Sequence, residues 1–233
     1  KVPINIDIMG NIAQVFSNVY SINSYAFANF KNILTLTTSD HPSLKFIDDF
    51  AFFASSISEF SLGENITYLG HHAFANCENL DQVESVMFSD KIDFGANVFE
   101  NTKWLIRERA SHKQIIIGNI LVESIINSTD TTIEIDDKVS IIADNAFVFN
   151  VQDNQPFNDI TIKFRESSNI HSFGNNVFTN TIKKLIILND DDIILTETSL
   201  NNVLLLETKQ SRVEYFNMQL ANLENSTLPI VGV

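Results

Sequence analysis

The chain has 233 residues, 44% hydrophobic and 19% charged, with 29 acidic against 15 basic side chains and a formal charge of −14. This is apolar enough to bury a sizeable core, and seven glycines with four prolines exclude a collagen-like or linker-like polypeptide. The negative field excludes nucleic acid and anionic membrane surfaces: the densest basic pairs, Arg107 with Arg109 and Lys183 with Lys184, are too small for a phosphate footprint.

From the start of the chain, residues 1–6 carry one positive charge and no apolar run, so no signal peptide is expected in this sequence. Then a pattern recurs: an aliphatic or aromatic residue, spacers, a small residue or Val, Phe, one spacer and often Asn. It reads Ile22 to Asn29 around Ala26-Phe27, Ile47 to Phe52, Leu69 to Asn76 around Ala73-Phe74, and Phe94 to Asn101 around Val98-Phe99. Further copies are Ile142 to Phe147 and Phe173 to Asn180, with weaker ones at Leu195 to Asn202 and Tyr215 to Asn222. Phe27, Phe52, Phe74 and Phe99 are 25, 22 and 25 residues apart, within the roughly 20–29 residues of leucine-rich repeats.

The longer interval from Phe99 to Phe147 reads as one repeat with an insertion at roughly 104–135. Within it, residues 107–130 are expected to protrude, with Ile115 to Ile117 and Leu121-Val122 forming a hairpin about Gly118-Asn119 whose tip is dispensable. The same stretch holds the longest nearly apolar run, Ile115 to Val122, far short of the roughly 18 residues of a membrane helix. Short strands are predicted between the Phe anchors, as at Leu80 to Val83, Ile160 to Phe164 and Leu185 to Leu188. No stretch keeps a 3.6-residue apolar period long enough for a globular helix. One strand per turn, stacked, predicts a repeat solenoid with a parallel β-sheet on one face.

The copy Leu69-Gly70-His71-His72-Ala73-Phe74-Ala75-Asn76-Cys77-Glu78-Asn79-Leu80-Asp81-Gln82-Val83 resembles the BspA-like leucine-rich-repeat unit, and Trp104-Leu105 followed by Gly118-Asn119-Ile120-Leu121 is similar to a block found in that family. The resemblance covers about residues 19–222 and implies one leucine-rich-repeat domain over 1–233: a right-handed coil of about eight repeats with few or no long helices. Most copies replace the family's Cys by Phe30, Ser55, Thr102, Thr181, Val203 or Leu223, and the last two lack Phe. It also implies a cell-surface or secreted protein used in adhesion and binding.

The residues offer little chemistry. Cys77, the single cysteine, sits among small and apolar neighbours and reads as a buried, inert thiol. His41, His71, His72, His112 and His171 show no metal-ligand spacing, and His71 and His72 read as loop spacers. Asp48-Asp49, Asp136-Asp137 and Asp190 to Asp192 read as solvated turns, with a weak calcium site at Asp190 to Asp192 as the alternative. Asn65, Asn127 and Asn225 begin glycosylation sequons of the kind an Asn-, Ser- and Thr-rich chain holds by chance. Asn29, Asn76, Asn101 and Asn180 are expected to hydrogen-bond the backbone at the corners. Catalytic, cofactor and metal sites are expected to be absent.

A repeat protein without catalytic residues works through its surface. Side chains expected outward on the sheet are Leu34 and Thr35, Ser58 and Glu59, Asp81, Gln82 and Glu84, Asn158 and Asp159, Lys183 and Lys184, and Leu204 and Leu205. Of these, Glu59, Asp81, Gln82, Glu84, Asp159, Lys183, Lys184, Leu204 and Leu205 are the candidate partner-binding residues. The expected function is non-enzymatic recognition of a protein or extracellular-matrix ligand by a monomer; a structural spacer in a larger surface protein is the alternative.

Overall fold

The structure is a computed structural model describing residues 18–32, 35–88, 92–150, 159–223 and 227–233. The chain divides into two compact units, Lys1–Ala110 and Ser111–Val233.

In the first unit, strands β1 (Ser21–Ile22), β3 (Phe46–Ile47), β5 (Tyr68–Leu69) and β7 (Asp93–Phe94) form one parallel sheet in that order. Strands β2 (Thr35–Thr37), β4 (Glu59–Leu62) and β6 (Gln82–Ser85) form a second. Each turn of chain therefore contributes two strands, not the single one expected from sequence. The additional set is only two residues long per turn, too short to show an alternating pattern.

The Ala-Phe corner follows each two-residue strand. Its amides bond to the corner one turn on: Phe27 N–H donates to Ala51 O at 2.8 Å, Phe52 N–H to Ala73 O at 2.8 Å and Phe74 N–H to Val98 O at 2.9 Å. Every corner in this unit holds two left-handed residues four apart: Tyr25 and Asn29, Phe50 and Ala54, His72 and Asn76, Asn97 and Asn101. Asn tolerates that backbone better than most residues, which accounts for the recurring Asn. Asn101 Nδ2 also donates to Asn76 Oδ1 at 2.8 Å, linking two corners. Asn180 is not one of these left-handed residues; in the second unit Asn145, Asn176 and Asn202 are. Turns approach so closely that a Cβ on Gly95 would lie 2.6 Å from the His71 nitrogen.

The Phe anchors fill the space inside the turns. Ring centroids are 5.3 Å apart for Phe27 and Phe52, 5.0 Å for Phe52 and Phe74, and 5.9 Å for Phe74 and Phe99, all stacked. Phe52, Phe74 and Phe99 are buried; Phe27, first in the row, is half-buried. The position of the family's Cys serves the Phe carbonyls. Cys77 Sγ donates to Phe52 O of the preceding turn at 3.1 Å, and Thr102 Oγ1 to Phe99 O of its own turn at 2.8 Å, so both satisfy a buried Phe carbonyl. Thr102 then caps helix α1 (Lys103–Ser111), its Oγ1 accepting from Leu105 N–H at 3.2 Å. This helix, not expected from sequence, buries only Trp104 and Leu105, too narrow a stripe to mark a helical period.

In the second unit, β8 (Gln114–Ile117) and β9 (Ile120–Ile126) form the expected antiparallel hairpin about Gly118, which has φ of 57°. It does not protrude. β9 pairs in parallel with both β11 (Ile141–Ile142) and β12 (Phe147–Phe149), and Asn119 O accepts from Ser140 and Ile141 amides at 3.0 and 3.2 Å. β14 (Ser172–Phe173) completes that sheet beside β11. The other sheet runs β10 (Thr132–Glu134), β13 (Thr161–Phe164), β15 (Lys184–Ile187), β16 (Leu206–Thr208) and β17 (Ile230–Gly232), all parallel. Phe147 and Phe178 stack at 4.8 Å and are fully buried. Residues 215–222, expected as a weak repeat copy, lie largely in helix α2 (Val213–Ala221), which buries Phe216 and Leu220 one helical turn apart.

Candidate functional site

The face of β2, β4 and β6 that points away from the first unit's core carries the clearest candidate surface. The register aligns Thr35 with Glu59 and Gln82, Leu36 with Phe60 and Val83, and Thr37 with Ser61 and Glu84. Because strand side chains alternate, Leu36, Phe60 and Val83 turn inward and the other two rows outward. An open hollow of about 260 Å³ lies on this face, lined by Leu36, Thr37, Glu59, Phe60, Ser61, Gln82 and Glu84. Its floor is stiff, since Phe60 packs 4.3 Å from Phe74 in the ring stack.

Glu59, Gln82 and Glu84 are exposed, and among the described residues their side chains make no hydrogen bond or ion pair. Glu59 and Glu84 are diagonal neighbours on adjacent strands, a relation that sets Cα atoms roughly 7–8 Å apart. Asp81 differs. It precedes β6, and Arg107 of α1 binds both its carboxylate and its carbonyl, the latter at 3.0 Å. It fastens the helix to the sheet.

On the second unit the outward rows of the β10–β17 sheet are Thr132, Thr161 and Lys184, and Glu134, Lys163, Ile186, Glu207 and Val231. Here the charges neutralise one another. Glu134 is 3.0 Å from Lys163 Nζ and 2.8 Å from Arg165 Nη2, and Lys184 Nζ is 2.6 Å from Glu207. Hydrogen bonds from Lys163 and Arg165 hold the Glu134 carboxyl below the usual carboxylate range. Asp159 and Lys183 precede their strands and pair at 2.9 Å. Leu204 is exposed and Leu205 half-buried just before β16.

Side chains on a strand alternate between its two faces, so the consecutive pairs expected outward from sequence cannot both belong to one outward row. The outward residues those pairs leave out are Thr37 and Ser61 on the first unit and Thr132, Glu134, Thr161, Lys163, Ile186, Glu207 and Val231 on the second. Leu34 and Asn158 lie outside the described residues.

Other candidates are engaged structurally. Cys77 is buried, and burial pushes its thiol up, against the pull of its hydrogen bonds with Ser55 and Ala54 and the charge of Lys31. His71 Nδ1 accepts from Ala96 N–H at 2.8 Å, and His72 stacks on Phe50 at 4.9 Å. Asp190 binds Lys209 at 2.6 Å, while Arg212 bonds the Asp190 and Asp191 carbonyls and packs over the Tyr215 ring at 3.9 Å. Lysine and arginine thus occupy the ground of the suggested calcium site. Asn65 donates to His41 O and Leu44 O at 3.1 and 2.8 Å, so that sequon amide is a structural brace; Asn225 is outside the described residues. A larger open groove of about 620 Å³ on the second unit includes Lys113, Glu134, Asp137 and Arg165, whose charges are already paired. Among the described residues, no three His, Cys, Asp or Glu side chains converge as metal ligands, and no helix is long and apolar enough to cross a membrane.

Strands recurring every 22 to 25 residues, locked by Phe stacks and Asn corners, define a leucine-rich-repeat protein. Residues 11–119 match the BspA type leucine rich repeat region in six copies. No curated protein matches the chain. Among solved structures it is similar to one titled "The Crystal structure of Pneumococcal vaccine antigen PcpA", at 12% identity and a TM-score of 0.33, over 93% of this chain and 78% of that one.

Proposed function

We propose that this is a non-enzymatic recognition module, at the cell surface or secreted, that binds a protein or matrix partner through the outward face of β2, β4 and β6. The observation that carries this reading is the hollow rimmed by Glu59, Gln82 and Glu84, whose side chains have no hydrogen-bond or ion-pair partner among the described residues. Like charges on neighbouring strands oppose folding, with a repulsion on the order of 0.5–1 kcal/mol at high dielectric. A docking partner relieves that cost, and a rigid sheet needs little ordering to receive it. The surface and adhesive character that the resemblance to BspA-like repeats implies supports the same reading. The self-neutralised face of the second unit favours a spacer role for that part of the chain.

The test is binding of the whole chain to a panel of purified matrix and host surface proteins by surface plasmon resonance. A Ser61→Trp variant, which fills the hollow, is expected to lose the partner. A Thr161→Trp variant on the second unit's sheet is expected to keep it. A partner bound equally by Ser61→Trp and wild type would contradict the assignment.

A further inference from the structure

The hollow on the first unit's sheet has the charge and size of a seat for a single cationic side chain. Its volume, about 260 Å³, equals roughly nine waters at liquid density, the scale of one long side chain and residual solvent. The strand backbone at Leu36 and Phe60, whose side chains turn inward, floors the hollow, Thr37 and Ser61 offer hydroxyls, and Glu59 and Glu84 face each other diagonally across it.

The second unit shows how this protein treats carboxylates on a sheet face when the face is complete in itself. Glu134 is matched by Lys163 and Arg165, and Glu207 by Lys184, each cation coming from the same or an adjacent row one turn away. By the same register rule, the places that would supply cations to Glu59 and Glu84 hold Thr35, Thr37, Ser61 and Gln82, and none is basic. Among the described residues of this unit no basic side chain pairs with Glu59 or Glu84, which leaves both carboxylates open to a cation from a partner.

Resting on the reading of this face as the docking surface, we propose that the partner presents a lysine or arginine side chain to the hollow. Its stem lies along the sheet between the β2 and β6 rows, and its charged head sits between Glu59 and Glu84 with Thr37 and Ser61 as further acceptors. Two carboxylates and two hydroxyls with no cation paired to them suit a basic side chain, whose several N–H donors they can accept.

The test uses a displayed library of random dodecapeptides selected on the full chain, then sorted by sensitivity to Ser61→Trp and, independently, to Thr37→Trp, which enters the same hollow from β2. Circular dichroism establishes that both variants are folded. Peptides that lose binding to both blocking variants are expected to carry a Lys or Arg whose replacement by Gln weakens binding. Those peptides should also bind E59Q/E84Q about tenfold less tightly and weaken as salt is added. Blocking-sensitive peptides without a required basic residue, or indifferent to E59Q/E84Q, would overturn the cationic seat while leaving the face as a docking surface. If no peptide is sensitive to the blocking variants, the face itself is not the docking surface and both readings fall.

Discussion

Truncating Phe74 to alanine strikes the first unit's core at the middle of its stack. The ring is fully buried, 5.0 Å from Phe52, 5.9 Å from Phe99 and 4.3 Å from Phe60. The hole cannot easily close, because hydrogen bonds of 2.8 Å from Phe52 N–H to Ala73 O and 2.9 Å from Phe74 N–H to Val98 O pin the corners on either side. Removing a buried phenyl ring costs about 3–5 kcal/mol, and a ring packed against three other aromatic rings belongs at the upper end, about 4–5 kcal/mol. With a urea slope of about 2 kcal/mol/M, the unfolding midpoint falls by about 2 M. Trp104, the single tryptophan, packs edge-on 5.0 Å from Phe99 and reports the transition by fluorescence. Phe53→Ala, at a half-buried ring, is the control and should cost about 1 kcal/mol. A loss below about 1.5 kcal/mol for Phe74→Ala, or equal losses for the two variants, would refute the stacked-ring core.

Gly95→Ala should destabilise the first unit by more than about 1 kcal/mol in the same urea assay, since its Cβ would meet the His71 nitrogen at 2.6 Å; a neutral result would mean the turns are looser than described. His41 is buried, and burial holds its pKa below the usual 6.5 against the opposing charge of Asp40. Its contribution is therefore full above pH 6.5 and is lost as the pH falls towards the folded value, because the unfolded chain takes up the proton first. His41→Asn should flatten the fall in stability as the pH drops below about 6.5, and an unaltered profile would contradict the role given to His41. Deleting Gly118 and Asn119 should disrupt the second unit, because Asn119 O receives two amides from the next turn; native circular dichroism after deletion would show the hairpin to be dispensable. A strong chelator should leave the thermal midpoint unchanged, as Lys209 and Arg212 already engage Asp190 and Asp191; a drop of several degrees would restore a cation to that turn.

Much of the first unit was legible because its signals are local and repeated. Ala73-Phe74 and the Asn after it mark a buried ring and a left-handed corner, and both recur within single stretches of about eight residues. The sheet of β1, β3, β5 and β7 was not legible, since strands such as Phe46–Ile47 and Tyr68–Leu69 are two residues long and defined only by their pairing with the next turn. Helix α2 left a trace in the spacing of Phe216 and Leu220, but the same residues also fitted a degenerate repeat. At the candidate site, composition revealed an acidic face but not which carboxylates are spent. Glu134 meets Lys163 across 29 residues and Asp81 meets Arg107 across 26, so their pairing depends on turn register. Glu59 and Glu84 stand out only after those partnerships are known.

The most direct measurement is carboxyl footprinting of the chain, free and in complex with a partner identified on the binding panel. Modification of each Asp and Glu by a water-soluble carbodiimide and glycine ethyl ester is read by mass spectrometry. Recognition through β2, β4 and β6 predicts that Glu59 and Glu84 are labelled in the free protein and protected in the complex, while Glu207 and Asp159 keep their labelling. Unchanged labelling of Glu59 and Glu84 in a complex that protects carboxylates of the second unit would contradict it.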